Sequence, residues 1–162
     1  MTPTFHRLTI KDIKKETVDT VSISFDVPSE LINTFQYTPG QYLTLREMLD
    51  GEDVRRSYSL CSAPFENEWR VAIKQIENGK FSTYANDVLK AGDEVNVMSP
   101  MGNFKLQCNA ENDNHYVSFA AGSGITPMLS MIKEVMETEP MSQFTLFYGN
   151  KGFASIIFRE EI

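Results

Sequence analysis

Residues 55–62 read RRSYSLCS and carry the side chains best suited to chemistry. Alternate residues of a strand share a face, which puts Arg56 with Tyr58 and leaves Ser57 and Ser59 on the other side. An arginine fork can hold a pyrophosphate through paired N–H donors, and a tyrosine beside it can lay its ring against a flat heterocycle. Small hydroxyls nearby can donate to a ring nitrogen or carbonyl. Alone, Arg-x-Tyr-Ser is a weak signal and suits an ordinary exposed strand better. GKFS at 79–82 adds weight: Gly79 permits a tight turn, and Ser82 is an N-cap candidate opening a helix whose free amides favour an anion. Capping alone also accounts for Ser82, and the two roles are compatible. A third element, AAGSGITP at 120–127, follows an apolar strand and opens a helix, the context of a dinucleotide loop. There Gly122 and Gly124 would let backbone amides approach a pyrophosphate, and Pro127 fits the first helical position. The pattern is G-x-G-x-x-P, not the G-x-G-x-x-G of a Rossmann fingerprint.

The elements that must position these residues follow from periodicity. Val21, Ile23 and Phe25 alternate with Ser22, Ser24 and Asp26, and Trp69, Val71 and Ile73 alternate with Arg70 and Ala72. Further strands are expected at 5–13, 41–47, 55–61, 95–97 and 103–107, separated by turn signals such as TPGQ, DGED, ENGK and SPMGN. Six or so short strands so punctuated imply a small antiparallel barrel or sandwich, a six-stranded Greek-key barrel being the expectation. FSTYANDVLKAGD, ending at Gly92, reads as one helix capping it. After the polar stretch 109–114 the grammar changes. HYVSFAA and QFTLFYG read as strands buried on both faces, with a helix between them striped by Met128, Leu129, Ile132, Val135 and Met136. Strand, glycine turn, helix and strand make one right-handed βαβ unit. The expected domains are therefore a β-barrel over 1–108 and the beginning of an α/β nucleotide-binding domain over 109–162.

Composition narrows the classes. The net charge of the 162 residues is −7, which argues against nucleic acid as a partner. Residues 1–108 account for −3 and residues 109–162 for −4, so charge also hints at two units. No apolar run approaches the ~20 residues of a membrane span, and MTPTFHRLTIKDIKK lacks the apolar core of a secretory leader, which suggests a cytoplasmic location. Cys61 and Cys108 form neither a disulfide framework nor a metal motif, and four cysteines for an iron–sulfur cluster are lacking. His6 and His115 stand alone, so no metal site is expected.

Taken in order, Arg-x-Tyr-Ser, Gly-x-x-Ser and Gly-x-Gly-Ile-Thr-Pro resemble the ferredoxin–NADP reductase superfamily, with TPGQY (38–42) and SPMGNF (99–104) matching family turns. RRSYSLCS and FYGNK look most like the reductase components of multicomponent oxygenases, the phenylacetyl-CoA epoxygenase and ketosteroid hydroxylase types among them. The resemblance implies FAD, with Arg56 on its pyrophosphate, Tyr58 against the isoalloxazine and Ser57 and Ser59 beside it. It also implies that Ala72, Ile73, Lys74 and Gln75 line the ring largely through backbone groups, and that Lys80, Phe81 and Ser82 hold the phosphates. Gly122, Ser123, Gly124, Thr126 and Pro127 would receive NADH or NADPH, with Ser123 and Thr126 also near the flavin, and Tyr148, Gly149 and Asn150 would border ribose and adenine. The implied activity passes electrons from NAD(P)H through FAD to a one-electron acceptor, a ferredoxin or an oxygenase component. No acid–base residue is expected, since the flavin carries the chemistry and Tyr58 and Ser59 only edge it. FMN is a lesser option, and a flavin-binding module without nicotinamide activity is the alternative function.

Family members have more strands in the nucleotide domain, and the oxygenase type adds a [2Fe–2S] domain. The sequence is therefore expected to be part of a longer reductase or a truncated product. Two parallel strands and one helix cannot cover both sheet faces, which puts Val117, Leu129 and Phe147 in doubt and suggests a homodimer through the open α/β edge. Lys151 and Ser123 stand where the family often has Arg and Thr.

Overall fold

Alternation over the first hundred residues becomes six antiparallel strands in a computed structural model that describes residues 4–162. They are β1 (Phe5–Thr17), β2 (Thr20–Asp26), β3 (Tyr42–Leu49), β4 (Glu52–Ser59), β5 (Trp69–Lys74) and β6 (Glu94–Met101). Residues 1–3, part of the N-terminal stretch read above, lie outside the described residues. The strands form one sheet in the order β4-β3-β6-β1-β2-β5. Asp50 and Gly51 both take positive φ, and this two-residue turn sets the β3–β4 register, with Leu49 opposite Glu52 and Leu43 opposite Tyr58. Leu8, Ile10, Ile23, Leu43, Leu45, Val71, Ile73, Val95 and Val97 fill the interior.

The barrel expected from the sequence does not close as a continuous ladder. The edge strands β4 and β5 meet at one bridge, Leu60 to Val71, beside which the Cys61 N–H donates to the Arg70 carbonyl at 2.8 Å. Away from that bridge the strands part, and each keeps an unpaired edge. The one capping helix, α1 (Lys80–Asp87), starts earlier than Ser82 and ends before Gly92, which instead turns at φ +91° toward β6. Residues 103–107 form no strand. Ser22 and Ser24, the polar half of the β2 alternation, are buried at 2% and 4% exposure. That face meets protein, not water.

The second unit consists of β7 (His115–Ala121), α2 (Ile125–Thr138) and β8 (Gln143–Gly149), with β7 and β8 parallel from His115–Gln143 to Ala121–Gly149. Helix α2 covers one face only. Burial alternates along β7, against the expectation of a strand covered on both sides, and Val117, Phe119 and Phe147 remain 55%, 75% and 53% exposed. Leu129, also placed in doubt, is buried on the inner face of α2 with Ile125, Ala120 and Ala72. A buried carboxylate, Glu139, ties the linker down: it accepts from the Asn109 N–H, Asn112 Nδ2, Tyr116 hydroxyl and Ser142 Oγ. Burial alone would raise its pKa, but these donors hold it below the usual carboxylate value.

The two units are joined by a buried seam. Ser130 Oγ on α2 donates to the Ser62 carbonyl at 2.6 Å, while Ile157 and Phe158 pack against Cys61 and Ala72. Burial pushes the Cys61 thiol up to about 12, so it stays protonated and unreactive. Arg70 reaches Glu161 through two bonds of 2.9 and 2.6 Å, and Lys133 bridges Glu66 and Glu161 at 3.0 and 3.1 Å. Burial would raise the Glu161 pKa, but the hydrogen bonds and charges of Arg70 and Lys133 hold it at about 2, below its ordinary 4.5. A depressed carboxylate stabilises the fold above its unfolded pKa and stops doing so as pH falls through the folded one. The seam should therefore weaken between about pH 4.5 and pH 2. Thermal melts across that window should show wild type losing more stability than Glu161→Gln; parallel losses would remove Glu161 from the account.

Candidate functional site

A cleft of about 550 Å³ fills the gap where β4 and β5 diverge. Arg56, Ser57, Tyr58 and Ser59 form one wall, Ala72 and Lys74 the floor, and Gly79, Phe81 and Ser82 one end. Ser123, Gly124, Thr126 and Pro127 reach in from the second unit. The strand alternation that set Ser57 and Ser59 apart from Tyr58 does not matter here, because the open edge of β4 exposes all four residues to the cleft. Tyr58 lies half-buried beside Phe81, ring centroids 5.9 Å apart, and burial pushes its hydroxyl up to about 12. It is a neutral phenol at physiological pH.

The adjacent arginines have separate fates. Arg55 is committed to Asp53 at 2.7 Å and lies over the Phe5 ring. Arg56 has no carboxylate partner among the described residues and makes one bond, to the Arg55 carbonyl at 2.7 Å. A cation at a cleft edge with spare donors suits an anionic ligand.

The Gly-x-x-Ser spacing has a local cause. Gly79 is the N-cap of α1, and Ser82 is the third helical residue, not the cap. The buried Ser82 hydroxyl accepts from the Ile76 N–H and donates to the Gly79 carbonyl, both at 3.2 Å, so the 76–79 turn wraps around it. A Cβ at Gly79 would collide with that hydroxyl and with the Ile76 side chain. The amides of Lys80, Phe81 and Ser82 open the helix without intrahelical acceptors. Ile76 and Asn78 also line the cleft, and sequence reasoning missed both. The signal for Asn78 was its place in the ENGK turn, where it adopts φ +59°.

Three candidates fall outside the cleft. Ile73 points into the core at 0% exposure, Gln75 bonds Thr83 and Asp87 on α1, and Lys80 pairs with Glu52 at 2.6 Å. Ile73 leaves only its backbone for a ligand, while the Gln75 and Lys80 side chains are engaged elsewhere.

A second hollow of about 490 Å³ lies at the carboxyl ends of β7 and β8, lined by Ala121, Gly122, Ser123, Gly149, Asn150, Lys151 and Ser155, with Lys74 on its far wall. This is where open α/β sheets bind ligands. Gly122 takes φ +51° with open space around it. Pro127 is the third residue of α2, not the first, a position where its missing N–H still costs nothing. Tyr148 does not line this hollow. Its hydroxyl donates to the Gly122 carbonyl at 3.0 Å and accepts from the Ile157 N–H at 3.3 Å. Ser123 and Lys74 border both hollows, so the two are contiguous.

Residues 7–106 match the family described as oxidoreductase FAD-binding domain. The chain belongs to that family. Residues 119–162 match the oxidoreductase NAD-binding domain. A component of the 1,2-phenylacetyl-CoA epoxidase of Escherichia coli (strain K12) is 46% identical over 159 residues, covering 98% of this chain and 45% of that protein. The ferredoxin reductase component of the 3-ketosteroid-9-alpha-monooxygenase of Rhodococcus rhodochrous is 39% identical over 157 residues, covering 96% and 44%. This chain thus spans a little under half the length of these relatives. The ferredoxin–NADP⁺ reductase of Plasmodium falciparum superposes with a TM-score of 0.83 at 19% identity, covering 98% of this chain and 66% of that one, which shows the shared fold.

The cleft fits the FAD of this family. It offers an unpaired cation in Arg56, a half-buried ring in Tyr58, the amides of a helix start and the open backbone edges of β4 and β5. The edges suit the heteroatoms of a flavin ring, and the helix start suits its phosphates.

Proposed function

We propose that the chain is the flavin-binding and nucleotide-receiving part of an NAD(P)H:acceptor oxidoreductase, with residues 1–108 as the flavin half and 109–162 as the start of the nucleotide half. The observation that carries this reading is the shared cleft, with Arg56–Ser59 on one wall and Ser123–Pro127 from the second unit on another. Bound FAD would supply hydride acceptance and single-electron release.

The chain's own residues bind, orient and shield. Arg56 and the α1 amides hold the diphosphate, with Phe81 and Ser82 shaping that end. Tyr58 packs on the ring, while Ser57, Ser59 and the backbone of residues 72–75 meet its edge. Gly122, Ser123, Gly124, Thr126 and Pro127 present the nicotinamide side. Gly149 and Asn150 border the rest of the nucleotide, and Tyr148 contributes by holding the Gly122 carbonyl. Lys151 lines the second hollow, where its charge can meet a phosphate. No residue needs to exchange a proton, and Tyr58 is suited to keeping its own.

The electron acceptor is a ferredoxin or an oxygenase component, because the two relatives are named as part of an epoxidase and as a ferredoxin reductase component. A cytoplasmic location is proposed on the sequence reading alone; separately, no helix among the described residues is long and apolar enough to cross a membrane. A homodimer of the 162-residue chain through the open α/β edge is proposed on the exposure of Val117, Phe119 and Phe147, and gel filtration at a clean monomer volume would end that proposal.

The decisive experiment is a visible spectrum of the purified chain with added FAD, repeated anaerobically with NADH and then NADPH. A flavin spectrum that bleaches supports the reading. One that stays yellow leaves a flavin module without nicotinamide activity, and failure to take up FAD overturns the cofactor assignment.

A further inference from the structure

We propose that Arg70, Lys133 and Glu161 form a positioning device that holds the Gly122–Pro127 loop against the flavin cleft. The proposal rests on the cofactor reading above for its purpose but not for its geometry.

Four separate pieces of chain meet at this cluster: β5 through Arg70, the 64–66 turn through Glu66, α2 through Lys133, and the segment after β8 through Glu161. The Arg70 and Glu161 side chains are only 13% and 22% exposed, and Lys133 only 20%. The Arg70 guanidinium also stands 5.4 Å from the Phe158 ring centre. Exposed ion pairs contribute little, but breaking this forked pair from one side leaves the largely buried Arg70 guanidinium with only the longer Glu68 contact at 3.5 Å. Glu161 therefore has one strongly preferred place.

From Glu161 the connection runs back to the loop. Phe158, at φ +61°, turns the chain so that its ring and Ile157 enter the seam beside Cys61 and Ala72. The Ile157 N–H donates to the Tyr148 hydroxyl, which donates to the Gly122 carbonyl. Gly122 opens the turn that carries Ser123, Gly124, Thr126 and Pro127 to the cleft. The other anchor is β5 itself. Arg70, Ala72 and Lys74 share one strand face, so the residue that grips Glu161 stands two positions from the cleft floor. One rigid strand thus fixes both the cleft and the clamp. Lys133 adds a third tether from the body of α2, whose first turn is the loop's continuation. Arg70 and Glu161 are positioning residues: neither lines the cleft.

The test uses the 162-residue chain and the variants Glu161→Gln and Lys133→Met. Amide hydrogen exchange is measured by mass spectrometry on the apoprotein and after adding FAD. The expected result is at least tenfold faster exchange over 122–126 in both variants, with β1, β2 and β6 unchanged. Binding of FAD should stay within threefold of wild type, while the limiting rate of flavin reduction by NADH or NADPH falls at least tenfold. Release of 156–162 with unchanged exchange over 122–126 would overturn the proposal and leave the cluster a local fastener. Equal acceleration across the β-sheet would also overturn it, since that reports general loss of stability. Should wild type take up no flavin, the cofactor reading fails on its own, and the exchange over 122–126 still decides the positioning role.

Discussion

Replacing Arg56 with alanine will weaken FAD binding about a hundredfold, whereas replacing the neighbouring Arg55 will change it by less than about threefold. The two differ in what they already hold. Arg55 spends its fork on Asp53, at 2.7 and 3.3 Å, on the exposed side of the β3–β4 hairpin. Arg56 lines the cleft and gives one bond to a backbone carbonyl, which leaves donors for a diphosphate. Each charge-assisted hydrogen bond contributes about 1.5–3 kcal/mol, and each 1.4 kcal/mol is about tenfold in affinity, so loss of two such bonds reaches the stated size. Titration of flavin absorbance in the two variants measures the contrast directly. FMN, with one phosphate, should lose less than FAD on the Arg56 change. Equal losses from Arg55→Ala and Arg56→Ala would remove Arg56 from the phosphate site.

Much of this arrangement is legible in the amino-acid sequence. Strands such as β3 and β6 follow from alternation because one face of each is buried in a single core, and local pattern reports burial well in that case. The three motifs also come together as their order suggests, with RRSYS, GKFS and GSGITP around one cleft. What local pattern cannot report is a face covered by distant chain. Ser22 and Ser24 read as solvent-facing, yet both are buried. The fork joining Arg70 to Glu161 spans 91 positions, and nothing near either residue announces it. Ser82 reads as an N-cap because a hydroxyl before a helix usually caps it. Here Gly79 leads the helix, and the hydroxyl turns back to organise the preceding turn. Along β7 and β8, apolar residues on both faces suggest full burial, but α2 covers one face and leaves Phe119 stacked on Phe147 at 4.8 Å in the open. Barrel closure is overstated by the pattern for a related reason. Strand count is local, but whether two edges zip together depends on what must fit between them, and here that gap is the cleft.

Gly40→Ala should be among the most destabilising single changes in the chain, although it adds one methyl group. Gly40 holds φ +96°, which an L-residue adopts only with strain. The added Cβ would also collide with the Phe104 carbonyl oxygen and with the Met131 Cε on α2. Methionine can move aside, but a backbone carbonyl cannot do so without shifting its segment, which is held by the Leu106 N–H to Pro39 carbonyl bond at 3.1 Å. Strain at such a φ costs about 1–3 kcal/mol, and overpacking costs a similar amount. A drop of about 3 kcal/mol lowers the melting temperature of a chain this size by about 6–12 °C. Gly51→Ala is the matched control: it carries the same left-handed requirement at φ +79° with no atom within 4 Å of the new methyl. Its cost isolates the backbone term, and the excess at Gly40 measures how tightly the TPGQ turn is pressed between the 104–106 segment and α2. Because α2 continues from the glycine loop at the cleft, Gly40→Ala should also slow flavin reduction, an effect that Gly51→Ala lacks. Equal melting temperatures for the two variants would mean that the 104–106 segment and α2 are both free to move away from the turn.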